Sequence, residues 1–144
     1  MRSQIRSLVR KTGYEVHRAT RECFVKDAFA DQRMLLGGNR VETIFDVGAH
    51  RGETAERYLK LYPEATIYSF EPFLDSITEL RRKFENEPSV KPTQTAVSDT
   101  SGSQAFYVNR DSFTNSLLPA LEQEGYGQVA TLDVEGTTID QFCE

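Results

Sequence analysis

Tryptophan is absent from this 144-residue chain, and cysteine, histidine and methionine occur only twice each. Cys23 and Cys143 form no C-x-x-C pair and have no metal-ligand spacing, so reduced thiols in a cytoplasmic protein are expected. No cluster of metal-ligating side chains is visible, and no metal is expected. No apolar run approaches the roughly 18 residues that cross a bilayer. The first residues carry charge but lack the apolar segment of a secretory signal. What remains is a chain of ordinary apolar content, 38%, with aromatic residues throughout, long enough to bury a core and too apolar for bulk disorder.

Charge is unevenly placed. Residues 1–40 hold nine Lys/Arg and four Asp/Glu, whereas the rest holds eight and eighteen, within a net charge of -5. An acidic body offers no basic stripe to neutralise phosphates, which argues against nucleic acid as the main partner. The basic N-terminus reads as a solvated helix face or as a contact for an anionic surface.

In order, Ile5, Leu8 and Val9 mark a short amphipathic helix over residues 3–12, and Phe24 to Leu36 is helical again until Gly37-Gly38-Asn39 breaks it. Residues 1–40 thus form a helical extension before the body at 41–144. Val41 to Val47 is a first strand, apolar enough to be covered on both faces, as in a parallel sheet. Gly52 to Leu61 is a helix, Ala65 to Phe70 a second strand, and Phe73 to Phe84 a second helix. Val90 to Val97 is a third strand, placed near an edge or bulge by Pro92. The order β-α-β-α-β implies right-handed crossovers in an α/β domain. Beyond it, Gln104 to Asn109 alternates like an antiparallel strand and Arg110 to Ser116 is polar and irregular. Leu117 to Leu121 is a possible short helix, Gln128 to Ile139 one strand or two, and Asp140-Gln141-Phe142 a helix start.

The chemistry gathers at Thr43-Ile44-Phe45-Asp46-Val47-Gly48-Ala49-His50-Arg51-Gly52-Glu53-Thr54, where an apolar strand ends at an acid and turns into a helix. Glycine admits a ligand close to backbone, and the unpaired N–H groups of the following helix point at whatever lies there. The middle glycine of G-x-G-x-x-G is missing, which counts against a dinucleotide pyrophosphate and hence against a nicotinamide oxidoreductase. Asp46 can accept from an ammonium group. Glu71, closing strand two nineteen residues after Gly52, can accept from the vicinal hydroxyls of a ribose.

The run Ile44 to Gly52 resembles motif I of class I S-adenosylmethionine-dependent methyltransferases, and Tyr68-Ser69-Phe70-Glu71-Pro72-Phe73 resembles the acidic loop after their second strand. Ala96 to Gly102, Asn115-Ser116-Leu117 and Thr137-Thr138-Ile139-Asp140 resemble later signatures of the FkbM family within that class. The resemblance covers residues 41–142. It implies a Rossmann-like three-layer parallel sheet and S-adenosyl-L-methionine as cofactor. Asp46, Gly48, Ala49, His50 and Gly52 would lie along the methionine end, Glu71 and Pro72 at the ribose, and Ser98 and Asp99 near the adenine. Family members usually carry Asn where this chain has His50, which alters that contact and adds a pH-sensitive group. The acceptor implied is a hydroxyl on a sugar, polyketide or similar small molecule. No catalytic base is identified. Asp99, Asn109, Asp111 and Asn115 are polar candidates that also suit turns.

The resemblance also implies that the domain stops before its fourth strand, which would sit beside the first. Leu132-Asp133-Val134-Glu135-Gly136 imitates the fourth-strand signature, so residues 129–139 are either the strand before it or strand four itself. On the first assignment strand one keeps an open apolar flank, and self-association through that edge is expected. The alternative to an O-methyltransferase is a non-catalytic fragment that binds the cofactor or a nucleoside without an acceptor pocket.

Overall fold

The computed structural model describes residues 27–119 and 127–144. Contacts divide the chain into two units, 1–40 and 41–144. The helix expected over residues 3–12 lies outside the described residues. In the first unit, helix α1 spans Ala28–Leu36. Asp27 caps it by accepting from the Phe29 N–H at 3.1 Å, and Gly37 ends it in a left-handed conformation.

The second unit is a mixed α/β fold. Strand β1 (Thr43–Val47), helix α2 (Glu53–Leu61), strand β2 (Thr66–Phe70), helix α3 (Leu74–Lys83) and strand β3 (Val90–Thr93) follow one another. The three strands form a parallel sheet in the order β1-β2-β3, with Asp46 opposite Ser69 and Val47 opposite Phe70. Alternation assigns Ile44 and Asp46 to one face with Ile67 and Ser69, and Phe45 and Val47 to the other with Tyr68 and Phe70. On the first face Ile67 packs with Ala55, Tyr58 and Leu59 of α2, with Ile77 and Leu80 of α3, and with Phe84 and Val90. These helix positions recur at three- and four-residue spacing, which is why both helices turn a stripe inward. Leu80 and Ile77 are fully buried, and truncating either to alanine would cost about 2–5 kcal/mol.

The segment read as one strand over Val90–Val97 is two. β3 ends at Thr93, and Ala96–Val97 form a separate strand, β4, in a second sheet. Between them Thr95 turns back to donate to Thr93 O at 3.0 Å and places its hydroxyl on Glu135 O at 2.9 Å. Pro92 lies in β3, an edge strand of the first sheet, where its missing N–H breaks no ladder. The second sheet has the order β4-β6-β5, with β5 at Gly102–Asn109 and β6 at Gln128–Thr137. β5 pairs antiparallel with β6, and β4 pairs parallel with it. Residues 128–137 are thus one strand, and Leu132–Gly136 lies inside it, bonded to β4 and β5 rather than beside β1. Asp133 and Glu135 are exposed there. Among the described residues β1 pairs on one side only, and Phe45 and Val47 are 38% and 54% exposed.

Residues 117–119 are not helical, and 120–126 lie outside the described residues. A 3-10 turn at Ser112–Thr114 orders the tract read as irregular, with Asp111 accepting from the Phe113 N–H at 3.0 Å. The last helix, α4 (Ile139–Cys143), is capped by Thr138. Its Phe142 meets Phe45, Tyr68 and Phe70 edge-on, with ring centroids 4.8–6.3 Å away, on the face opposite α2 and α3.

Candidate functional site

The turn Gly48–Gly52 is pinned to the second strand before it becomes a helix. The N–H groups of Gly48 and Ala49 both donate to Phe70 O at 3.0 Å, and Gly52 N donates to Ala49 O at 2.8 Å. Closing so tight a bend requires positive φ at Gly48 (76°), His50 (49°) and Gly52 (82°). Each glycine has a second reason. A Cβ at Gly52 would run into the Phe84 ring, so α2 packs against α3 only without it. A Cβ at Gly48 would meet nothing within 4 Å, so that backbone faces open space, where a ligand can approach it.

Two carboxylates end the neighbouring strands on one face. Asp46 is 6% exposed, and its Oδ2 has no hydrogen-bond partner. Burial, followed by the charges of Glu53 and Glu71, pushes its carboxyl from 3.8 up to about 6. Glu71 is equally buried but hydrogen-bonded through both oxygens: Oε2 accepts from the His50 N–H and Oε1 from the Phe73 N–H, both at 2.9 Å. Pro72, which has no N–H, stands half-buried between Glu71 and Phe73, so the carboxylate reaches past it to Phe73, the N-cap of the next helix. The acid read as a ligand group therefore also fastens the turn to the second strand.

The fold brings Asp46, Gly48, Ala49, His50, Gly52, Glu71 and Pro72 to one strand-tip region. It does not tie Ser98 and Asp99 to them. Ser98 donates its N–H to Thr137 O at 2.9 Å and its hydroxyl to Asp99 Oδ1 at 3.0 Å, at the edge of the second sheet. Asn109 and Asn115 prove to be loop-formers: Asn109 N donates to Asn115 Oδ1 at 2.9 Å, and Asn109 Nδ2 to Thr114 O at 2.6 Å.

The loop they shape delivers two residues that sequence reading missed. Ser112 Oγ lies 2.8 Å from His50 Nε2, and the Phe113 ring lies 4.0 Å from the imidazole, centroid to centroid. Nothing local in residues 110–116 announces this, because the contact spans 62 positions. Glu53, the first residue of α2, was quoted in the turn but given no role, and its carboxylate lies 3.8 Å from His50 Nδ1. A charged cleft of about 490 Å³ lies nearby, lined by Arg51, Glu53, Glu79, Arg82 and Lys83 and bridged by an Arg51–Glu79 ion pair at 3.2 Å. Neither Asp46 nor Glu71 lines it. Among the described residues no group of three His, Cys, Asp or Glu is placed to hold a metal ion. No described helix is long and apolar enough to cross a membrane.

This geometry meets one finding from comparison with known proteins. The family model described as the methyltransferase FkbM domain matches residues 46–144, starting at the buried acid and running through both sheets. No curated protein matches the chain. The family match spans well over half of the 144 residues, and the chain belongs to the FkbM methyltransferase family.

Proposed function

We propose that this chain binds S-adenosyl-L-methionine at the tips of β1 and β2 and directs its methyl group to a hydroxyl of a sugar or other natural-product small molecule. The observation that carries the cofactor reading is the buried, unpartnered Oδ2 of Asp46 beside the open backbone of Gly48. An orphaned buried acceptor is costly to a fold and calls for a donor from outside it. The surrounding charge defines that donor. Glu53 and Glu71 add negative charge at Asp46, which a cation such as an ammonium or sulfonium would offset and a pyrophosphate would increase. The same sign argues against a nicotinamide dinucleotide, in accord with the missing middle glycine.

The residues present suit the group. Asp46 would accept from the amino end. Glu71 keeps lone pairs free on both oxygens after its two backbone bonds and would accept from ribose hydroxyls. When bound, S-adenosylmethionine supplies a methyl carbon activated by sulfonium for in-line displacement. The protein's share is to fix the donor end, keep Asp46 charged against it, and align an acceptor oxygen, from which most of the rate can come. The hydroxyl acceptor rests on the family resemblance.

Calorimetric titration with S-adenosylhomocysteine and with NAD tests the cofactor, and transfer of a labelled methyl group to a panel of sugars tests the acceptor. Binding of S-adenosylhomocysteine and none of NAD is the expected result. Binding without transfer to any hydroxyl would favour a non-catalytic nucleoside-binding protein.

A further inference from the structure

Phe113 stacks on the imidazole of His50 with ring centroids 4.0 Å apart, yet it is 69% exposed. Single exposed apolar residues are ordinary on a protein surface. This one is held in place by its loop. Asp111 Oδ1 accepts from the Phe113 N–H at 3.0 Å, and Asp111 O accepts from the Thr114 N–H at 2.9 Å and its hydroxyl at 2.7 Å. Tyr107 and Ser116 exchange backbone bonds at 2.8 and 3.1 Å, which fastens the loop to β5. A ring with one face on the imidazole and the rest open, on backbone fixed in this way, is a platform beside the turn that leads into α2.

The same loop leaves one acceptor and one donor unused. Asn109 is 5% exposed and its Oδ1 has no partner among the described residues; the buried Asn115 Nδ2 has none either. Backbone groups orient both amides: Asn109 Nδ2 donates to Thr114 O, and Asn115 Oδ1 accepts from Asn109 N. The two remaining atoms are therefore an acceptor and a donor by assignment of the network. A hydroxyl accepts and donates at once and is the smallest group that matches the pair. An aromatic face and a hydroxyl-matching pair in one loop fit a sugar ring, which carries C–H bonds on its faces and hydroxyls around its rim.

We propose that the loop over residues 109–116 is the acceptor subsite, with Phe113 stacking on a pyranose ring and Asn109 Oδ1 and Asn115 Nδ2 exchanging hydrogen bonds with one of its hydroxyls. This rests on the methyl-transfer reading and deepens it. The acceptor is narrowed from any hydroxyl compound to a six-membered sugar ring, and a loop of the second sheet supplies the side chains that choose it. Because Phe113 touches His50, the subsite adjoins the turn that the cofactor reading uses, as transfer between the two requires. None of Asp46, Gly48 and Glu71 belongs to it, so the two sites can be damaged separately.

Saturation-transfer NMR and calorimetry test this with methyl pyranosides of the gluco, galacto, manno and rhamno series, and with sorbitol as an open-chain polyol. Each is titrated with and without S-adenosylhomocysteine, whose own affinity is measured alongside. The proteins are the wild-type chain, Phe113→Ala, Phe113→Tyr and Asn115→Asp, with thermal melts to confirm folding. Asn115→Asp keeps the Oδ1 that accepts from Asn109 N and removes only the donor. At least one pyranoside should bind with its ring C–H protons saturated, and sorbitol should bind at least about threefold more weakly. Phe113→Ala should weaken that pyranoside about three- to tenfold and Asn115→Asp about tenfold, with Phe113→Tyr close to wild type and S-adenosylhomocysteine changed less than about twofold throughout. Equal weakening of the pyranoside and S-adenosylhomocysteine in a folded Phe113→Ala would overturn the proposal, making the ring a wall of the cofactor site. So would sorbitol binding as well as the pyranosides, and so would folded variants that bind as the wild type does. A wild-type chain that binds S-adenosylhomocysteine but no pyranoside overturns the subsite and leaves the cofactor reading intact. One that binds no S-adenosylhomocysteine defeats the cofactor reading itself, and the acceptor role with it. The exposed Phe113 side chain keeps the test open should Asn115→Asp disturb the loop.

Discussion

Asp46 and Glu71 end adjacent parallel strands, lie on one face and are buried alike at 6% exposure, yet the fold treats them in opposite ways. Glu71 receives two backbone N–H bonds, while Asp46 keeps an oxygen without a partner and a carboxyl raised to about 6. The first acid supports the turn that the second one burdens. Burial therefore says little about what a carboxylate is for, and its hydrogen-bond partners say more. A paired acid can be structural and functional at once. An orphaned acid weakens the fold and is explained by something that binds.

The largest effect should come from breaking the supported member. Glu71→Ala leaves the N–H groups of His50 and Phe73 without acceptors, at about 1–3 kcal/mol each. Urea denaturation should show a loss of roughly 2–5 kcal/mol. Binding of S-adenosylhomocysteine should fall about a hundredfold at the same time, because the turn and the ribose contact fail together.

Asp46→Asn should separate the two properties. A carboxyl shifted from 3.8 to about 6 on folding destabilises the protein by about 3 kcal/mol at pH 8. The amide cannot ionise, so the variant should be up to that much more stable at pH 8, with the gain gone near pH 4. Its affinity for S-adenosylhomocysteine should nevertheless drop about ten- to hundredfold.

The wild-type chain should show the same coupling in its pH profile. Between the unfolded value of 3.8 and the folded value of about 6 the folded state holds the extra proton. The Asp46 contribution is therefore most favourable below pH 4, is lost as pH rises to 6, and is flat beyond. Affinity for a cationic ligand runs the other way. It should climb about tenfold from pH 5 to pH 7 and level off, because the ligand needs the charged form. The smallest effect belongs to the loop. Ser112→Ala removes one part-buried hydrogen bond and should cost the ligand-free protein no more than about 1 kcal/mol in a thermal melt.

Local pattern made the β-α-β-α-β frame legible, because each of its elements turns a periodic apolar stripe to one core. The strand at Thr43–Val47, the bend at Gly48–Gly52 and the acid at Glu71 could be read in place, since strand, turn and helix start are short-range signals. The break between Thr93 and Ala96 could not, because it depends on Thr95 reaching Glu135, far along the chain. Leu132–Gly136 imitates the fourth-strand signature as a string, although the following Thr137-Thr138-Ile139-Asp140 favours the strand before it, and pairing with β4 and β5 decides between them. The role of Ser112 and Phe113 was invisible for the same reason: a polar loop declares its contacts only once the sheets have brought it to His50. The double duty of Glu71 was equally hidden, since its partners are backbone groups that no side-chain pattern records.

The most direct test compares the wild-type chain with Asp46→Asn at pH 8, measuring the melting temperature and the calorimetric affinity for S-adenosylhomocysteine on the same samples. The account predicts a variant that melts higher and binds at least about tenfold more weakly. A variant that melts lower, or one that binds the ligand as tightly as the wild type, would contradict it.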